Sequence, residues 1–128
     1  MIVVPAEVVE AVAEHARAVD RERPGFESLG VLVCDGDRAM RYARLGNPAR
    51  RPYQARVAAP RQLVRRGRRL IPLHSHPRGS ATPSQTDVEG ASRHGWEVFA
   101  IYSLATGELR CWSLDGAAPR EVEFTLGS

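Results

Sequence analysis

Apolar positions near the N-terminus follow a strand pattern and then a helix pattern. The run from Ile2 to Val4 is β-branched and predicts a short strand. Pro5 can occupy the first position of a helix, and from there to about Glu22 the apolar residues recur every three or four positions. The members of that stripe are Val8, Val9, Val12, Ala13 and Ala16. The chain therefore opens with a strand followed by an amphipathic helix.

A proline and a glycine then break the helix and lead into a hairpin. Pro24 and Gly25 end the helical pattern, and the next run, LGVLVC, is a continuous apolar strand. The DGD sequence at 35–37 predicts a tight turn into a second strand, RAMRYARL. The following proline-rich residues predict a loop with a short strand near 53–57, and Pro60 can begin a helix.

The second half of the chain predicts a buried strand, a helix and three more strands. RLIPLHSH is an apolar strand that ends at His76. Thr82-Pro83-Ser84-Gln85 has the pattern of a capping box with proline at the first helical position, which predicts a helix from Pro83 to about His94, ended by Gly95. WEVFAIYSL, ELRCWSL and the alternating REVEFTL predict the last three strands.

Composition places the chain among ordinary globular proteins. It has 128 residues, 43% of them hydrophobic and 26% charged, which suits one compact domain. No basic region followed by an apolar segment opens the chain, and no apolar run approaches the roughly 18 residues of a bilayer span, so we expect a cytoplasmic protein without a membrane partner. Cys34 and Cys111 lie in apolar runs and are expected to be buried structural thiols.

The charge is distributed unevenly. Residues 38–86 contain twelve of the eighteen basic residues, all arginine, and no Asp or Glu. Such a segment can attract an anionic partner, although an arginine-rich solvated surface explains it equally well. Aromatic residues are too sparse there for a typical single-strand binder, so nucleic acid is an unlikely partner.

The sequence HSHPRGSATPSQTD at 74–87 carries the candidate chemistry. Residues two apart in a strand share a face, so the side chains of His74 and His76 converge. Ser84 and Asp87 are three apart in the next helix and share a face, and the short loop between can fold that face over the strand end. Two histidines and one carboxylate leave a tetrahedral zinc ion one open position, as in catalytic sites.

A hydrolytic zinc site also needs an acid that exchanges protons with water and the leaving group. Glu27 is the best candidate because it begins the strand ESLGVLVC, and Glu22 is the second. His15 and His94 lack such support and are expected to be structural. Trp96 and Trp112, in apolar runs, are expected in the core.

These residues resemble the JAMM/MPN+ (JAB) metallopeptidases, whose pattern is an upstream glutamate followed by H-[S/T]-H-x7-S-x2-D. His74-Ser75-His76 and Ser84-Gln85-Thr86-Asp87 fit that pattern without a gap, and Glu27 stands three residues before Gly30 as in the family's first motif. The resemblance implies one domain over 1–128, an α/β/α sandwich around a mixed, curved β-sheet, similar to cytidine deaminases. It also implies His74, His76 and Asp87 as zinc ligands, Glu27 as general acid/base and Ser84 as oxyanion stabiliser.

The same resemblance implies the substrate. Enzymes of this type cleave amide or isopeptide bonds after the C-terminal glycine of ubiquitin-like proteins, and small bacterial members act on sulfur-carrier proteins. Arginines between 50 and 69 could meet an acidic carrier face, and a homodimer is possible. A rival resemblance is the RadC-type family, associated with DNA repair, with the motif HNHPSGxxxPSxxD; Ser75 in place of asparagine argues against it. A zinc-containing or metal-free module that binds nucleic acid through residues 38–86 is the other alternative.

Overall fold

The computed structural model describes residues 1–52, 68–115 and 118–127, which form one mixed β-sheet with a helix on each face. The first half contains β1 (Ile2–Pro5), α1 (Ala6–Glu22), β2 (Leu29–Asp35), β3 (Arg38–Leu45) and β4 (Arg68–His76). The second half contains α2 (Gln85–His94), β5 (Val98–Ser103), β6 (Leu109–Asp115), β7 (Ala118–Val122) and β8 (Phe124–Gly127).

The sheet curves until its two edges meet. Among the described residues the strand order is β7-β6-β5-β4-β2-β3-β1-β8, so the last two strands of the chain lie at opposite ends of the sheet. Only Glu123 separates them in sequence, and its carbonyl accepts a hydrogen bond from Ile2 N at 3.1 Å. Residues 118–127 therefore join β6 on one side to β1 on the other.

The inner face of the sheet packs on α1. Val8, Val12, Ala13 and Ala16 of the helix lie in one buried cluster with side chains from β1 to β6. Because strands from both halves of the sheet contribute to this cluster, the sheet wraps around the helix. The strand members are Ile2, Val4, Leu32, Cys34, Ala39, Ile71, Leu73, Ala100, Tyr102, Leu109 and Cys111. Both cysteines are buried free thiols, as expected.

The outer face of the sheet packs on α2. Ala91 of the helix contacts a second buried cluster that contains Phe99 and Ile101 of β5 and Trp112 of β6. Trp112 is 9% exposed, so its predicted place in the core is confirmed. The two clusters on opposite faces give the three layers, helix, sheet and helix, that the resemblance implies.

Four sequence predictions of secondary structure need comment. The strand predicted for REVEFTL is two strands, because its halves pair with different neighbours. Helix α2 begins at Gln85, not Pro83, because the capping box is made by Ser84 and Asp87 instead of Thr82 and Gln85. The strand near 53–57 and the helix from Pro60 lie outside the described residues.

A glycine in β2 makes room for a tyrosine in β3. A Cβ atom on Gly30 would overlap the Tyr42 ring at Cε1, Cζ and the hydroxyl oxygen. The Tyr42 hydroxyl lies 2.7 Å from Nδ1 of His15, which is 7% exposed. Burial, with the charge of Arg44, lowers the pKa of His15 and so favours the neutral imidazole, which can hydrogen-bond to the hydroxyl in either tautomer. His15 is thus a buried structural residue, as expected.

Neither of the helices that the structure describes is long and apolar enough to cross a membrane.

Candidate metal site

The ends of two neighbouring strands bring three of the predicted side chains together. Antiparallel pairing of β2 and β4 aligns Leu29 with His74, and continuing that register places Glu27 opposite His76. His74 also pairs with Ile101 of the outer cluster, so these side chains face α2. The ligand atoms of Glu27, His74 and His76 all lie within 4.8 Å of one another.

Helix α2 supplies the fourth member of the site. Asp87 Oδ1 lies 3.1 Å from His74 Nε2, and Asp87 Oδ2 lies 3.0 Å from His76 Nε2. Asp87 is in the first turn of α2, where its side chain accepts from Ser84 N at 2.9 Å and Ser84 Oγ accepts from Asp87 N at 3.1 Å. This reciprocal capping box fixes the carboxylate between the two histidines.

The loop between His76 and α2 is held by three successive carbonyl groups. Ser103 Oγ donates to the carbonyl of Gly79 at 2.6 Å, His76 Nδ1 to that of Ser80 at 2.7 Å, and Trp112 Nε1 to that of Ala81 at 2.9 Å. The donors come from the ends of β5 and β4 and from β6. The loop that connects the histidines to Asp87 is therefore anchored at each of these residues, which fixes how α2 meets the strand ends.

The ring nitrogens of the histidines fit a cation between them and Asp87. His76 Nδ1 faces a carbonyl, which can only accept, so a neutral His76 presents the lone pair of Nε2 to the Asp87 carboxylate. That arrangement is repulsive unless Nε2 gains a proton or a cation lies between the two groups. Nε2 of His74 is buried and makes no hydrogen bond within the described residues, although Asp87 Oδ1 lies near it.

The spacing of these atoms also suits a small divalent ion. Two ligands at about 2.1 Å from a tetrahedral ion lie roughly 3.4 Å from each other, close to the 3.0 and 3.1 Å separations seen here. Nitrogen and carboxylate donors of this kind are typical of zinc sites. A backbone carbonyl that receives the other ring N–H, as Ser80 does for His76, is the usual support of a metal-binding histidine.

Charges in the site are arranged to keep Asp87 ionised. Burial opposes its negative charge, but contacts with both histidines and with Ser84 N outweigh burial and lower the pKa of Asp87. Burial likewise opposes the charge on His76, yet Asp87 and the Ser80 carbonyl raise its pKa. Glu27 is 6% exposed, and burial together with the nearby Asp87 charge raises its pKa. A carboxyl group with a raised pKa suits proton transfer near neutral pH.

Comparison with known proteins identifies the family of the chain. The family described as prokaryotic homologs of the JAB domain matches residues 5–115. The chain belongs to this family. A search of curated proteins finds no match to the JAB-domain chain.

Solved structures support the fold. The solution structure of protein DSY2949 from Desulfitobacterium hafniense matches with a TM-score of 0.76 at 24% identity, covering 99% of this chain and 93% of that one. AF2198, a JAB1/MPN domain protein from Archaeoglobus fulgidus, matches with a TM-score of 0.67 at 18% identity, covering 100% of both chains. The JAB domain described here thus shares their α/β fold with its curved, mixed sheet.

In the JAB domain, the other residues singled out from the sequence lie at the start of α2, at the end of α1 and at the end of α2. Ser84 is exposed at the start of α2, and because its Oγ accepts from Asp87 N, its hydroxyl proton is available to a ligand. Glu22, the second candidate for the acid, is exposed at the end of α1. His94 is exposed and stacks on Trp96, with ring centroids 5.0 Å apart.

Several residues that support the site were not singled out for that role from the sequence. Ser103 and Trp112 anchor the loop, and Asn47 Nδ2 donates to the carbonyl of Glu27 at 3.0 Å. Nothing in their local sequence marks them, because each acts on a backbone group far away in the chain. The proline-rich break after Asn47 was the one hint that this segment leaves the sheet.

Proposed function

We propose that this JAB domain is a zinc-dependent metallopeptidase that cleaves an amide or isopeptide bond after the C-terminal Gly-Gly of a ubiquitin-like or sulfur-carrier protein. One observation carries the proposal. The Asp87 carboxylate contacts Nε2 of both His74 and His76, while the Ser80 carbonyl fixes the His76 ring so that Nε2 presents its lone pair to that carboxylate. A metal ion between them would accept the lone pairs of both Nε2 atoms and offset the charge of the carboxylate, whereas a proton on His76 Nε2 would satisfy only that histidine.

The residues that would hold the ion are His74, His76 and Asp87. Zinc held by three such side chains supplies an electrophile that acidifies water and polarises a carbonyl group. Glu27 would accept a proton from the attacking water at its carboxylate and deliver it to the leaving nitrogen as the C–N bond breaks. Its burial beside the two histidines suits both steps, because few water molecules compete for the proton that its carboxylate carries.

Ser84 is suited to stabilise the oxygen that becomes negative when water adds to the substrate carbonyl. Its hydroxyl lies at the N-terminus of α2, where backbone N–H groups and the helix dipole favour negative charge. Since Ser84 Oγ already accepts from Asp87 N, its proton is directed away from the helix and can donate to substrate. Ser84 would then act on the reacting oxygen while its Oγ keeps Asp87 in place.

The Gly-Gly substrate follows from the family resemblance, and the charge of the chain supports a partner with an acidic face. Glycine suits a narrow approach because it has no side chain. Of the arginines between 50 and 69 that the structure describes, Arg50 and Arg51 are exposed and follow Ala49, in the segment bonded to the Glu27 carbonyl. Arg68 and Arg69 lie at the opposite end of β4 from the histidines, and are therefore less suited to contact the same partner.

The test is cleavage of a defined substrate. A sulfur-carrier domain ending in Gly-Gly, fused to a short reporter peptide, is incubated with the zinc-loaded protein, and mass spectrometry locates the cut. Cleavage after the second glycine that stops with a chelator and returns with zinc supports the proposal. A protein that retains no zinc, or that binds nucleic acid with a steep salt dependence and cleaves no carrier, contradicts it.

A further inference from the structure

The peptide group between Glu27 and Ser28 is held at both of its polar atoms by side chains. Its carbonyl oxygen, on Glu27, accepts from Asn47 Nδ2 at 3.0 Å. Its N–H, on Ser28, donates to Ser75 Oγ at 2.8 Å. Glu27 precedes the first residue of β2 and follows the end of α1, so no regular element fixes it. These two hydrogen bonds are what define the orientation of this peptide group.

The bond from Ser75 replaces a bond of the sheet. Ser75 N donates to the Ser28 carbonyl at 3.0 Å, as in an antiparallel pair. In a regular pair Ser28 N would donate to the Ser75 carbonyl, but here the Ser75 side chain accepts instead. Both residues are at most 1% exposed, so water does not compete for these groups. The regular hydrogen bonding between β2 and β4 ends at this pair, and the Ser75 side chain fixes the peptide group through which the chain enters β2.

Asn47 is itself part of a fixed loop. Its Oδ1 accepts a hydrogen bond from Ala49 N at 3.0 Å, while its Nδ2 donates to the Glu27 carbonyl. Arg23, just after α1, donates to the carbonyls of Asn47 and Ala49 at 3.0 and 2.9 Å. The loop is thereby tied to the end of α1, and it meets the Glu27 peptide from the side opposite Ser75.

We propose that Ser75 and Asn47 are positioning residues that set the Glu27 carboxylate against His74 and His76. The proposal rests on the function given above, since it assigns Glu27 the proton transfer. Ser75 suits this role because its neighbours in the chain are the two histidines, while its own side chain points to the other face of the sheet. A single residue thus couples the strand that carries the histidines to the backbone of the acid. Displacement of a reacting group by about 1 Å can cost roughly a hundredfold in rate.

The first experiment compares Ser75→Ala with Ser75→Thr. Alanine removes the acceptor and threonine retains it, so kcat should fall about 10- to 100-fold in Ser75→Ala and recover in Ser75→Thr. Zinc content and KM should stay near those of the wild-type protein in both, because the ligands are untouched. Asn47→Asp, which keeps the acceptor for Ala49 N but loses the donor to Glu27, should lower kcat in the same way. Equal activity of Ser75→Ala and wild type, or a loss of zinc that accounts for the lost rate, overturns the proposal.

A second readout does not depend on catalysis. Hydrogen exchange of the residue 28 amide should accelerate at least tenfold in Ser75→Ala and remain slow in Ser75→Thr. Ser28→Ala is the matched control, because it removes an equally buried hydroxyl but leaves the amide and its acceptor in place. An unprotected amide in the wild-type protein overturns the positioning role. If the amide is protected but the protein cleaves no carrier, the hydrogen bond is confirmed and the proposed function is refuted.

Discussion

Ser84 and Asp87 hold each other at the start of α2 through two hydrogen bonds, from Ser84 N to Asp87 Oδ2 and from Asp87 N to Ser84 Oγ. The same Oδ2 atom lies 3.0 Å from His76 Nε2. The cap that begins the helix and the contact that completes the candidate metal site therefore share one carboxylate. A substitution of Asp87 would disturb both, so histidine variants give the cleaner test of metal binding.

Replacement of His76 by alanine should abolish stable zinc binding. Loss of a residue that hydrogen-bonds to a metal ligand typically costs about 10- to 100-fold in metal affinity, and loss of the ligand itself should cost more. Zinc content after dialysis against a weak chelator measures the effect. His94→Ala is the control, since His94 stacks on Trp96 at the far end of α2. Equal zinc content in His76→Ala and wild type would contradict the ligand assignment.

Replacement of Glu27 by glutamine should separate chemistry from metal binding. The amide keeps the size of the side chain but cannot accept and deliver the proton, so kcat should fall at least about 100-fold while zinc stays bound. Turnover of the carrier fusion and zinc content are measured on the same sample. Glu22→Gln makes the same chemical change at an exposed position and should retain full turnover. Undiminished cleavage by Glu27→Gln would remove this residue from the mechanism.

Replacement of Gly30 by alanine should destabilise the fold through Tyr42. The new Cβ would overlap the tyrosine ring, which cannot swing away without breaking its contact with His15. Overpacking of this kind costs about 1–3 kcal/mol in the free energy of unfolding. In Gly30→Ala/Tyr42→Ala the overlap is absent, so the double variant should be more stable than the sum of the single effects predicts, by at least about 1 kcal/mol. Additive urea-unfolding free energies would show that Tyr42 does not restrict this position.

Acid should destabilise the protein partly through His15. Burial lowers its pKa in the folded state, so the folded chain binds fewer protons than the unfolded chain at low pH. The stabilisation is complete above the unfolded pKa of about 6.5 and is lost as the pH falls towards the folded pKa. Between pH 7.5 and 5.5 this effect is at most about 1.4 kcal/mol. The difference in unfolding free energy between wild type and His15→Gln, measured by urea unfolding at both pH values, isolates the contribution of His15. A difference that does not change with pH would refute this prediction.

The sequence predicted which side chains meet at the strand ends better than it predicted the closure of the sheet. The spacing of His74, His76 and Asp87 depends on strand and helix periods, which the structure retains. The final strand could not be divided in advance, because alternation shows which face a residue takes but not which strand lies beside it. Residues 118–122 and 124–127 have similar alternation and pair with different partners.

The hydrogen bonds that support the site also could not be predicted from local sequence patterns. Ser75 lies between two histidines that share a face, so strand alternation turns its side chain to the other face, but its bond to Ser28 N joins residues 47 positions apart in sequence. Trp112 was expected in the core for its size, and its N–H bond to the Ala81 carbonyl follows from the packing of α2. The capping box was predicted two residues too early, since both Thr82 and Ser84 can cap a helix and only tertiary contacts select Ser84.

The junction at Glu123 has a consequence for the order of folding. Because β8 pairs with β1 and β7 pairs with β6, the sheet closes only when the last strands of this chain reach the first. During synthesis one edge of β1 therefore stays unpaired until almost the whole domain has left the ribosome. Such distant pairings slow folding and leave strand edges open to other chains in the meantime. Premature termination before Ala118 would expose two edges at once.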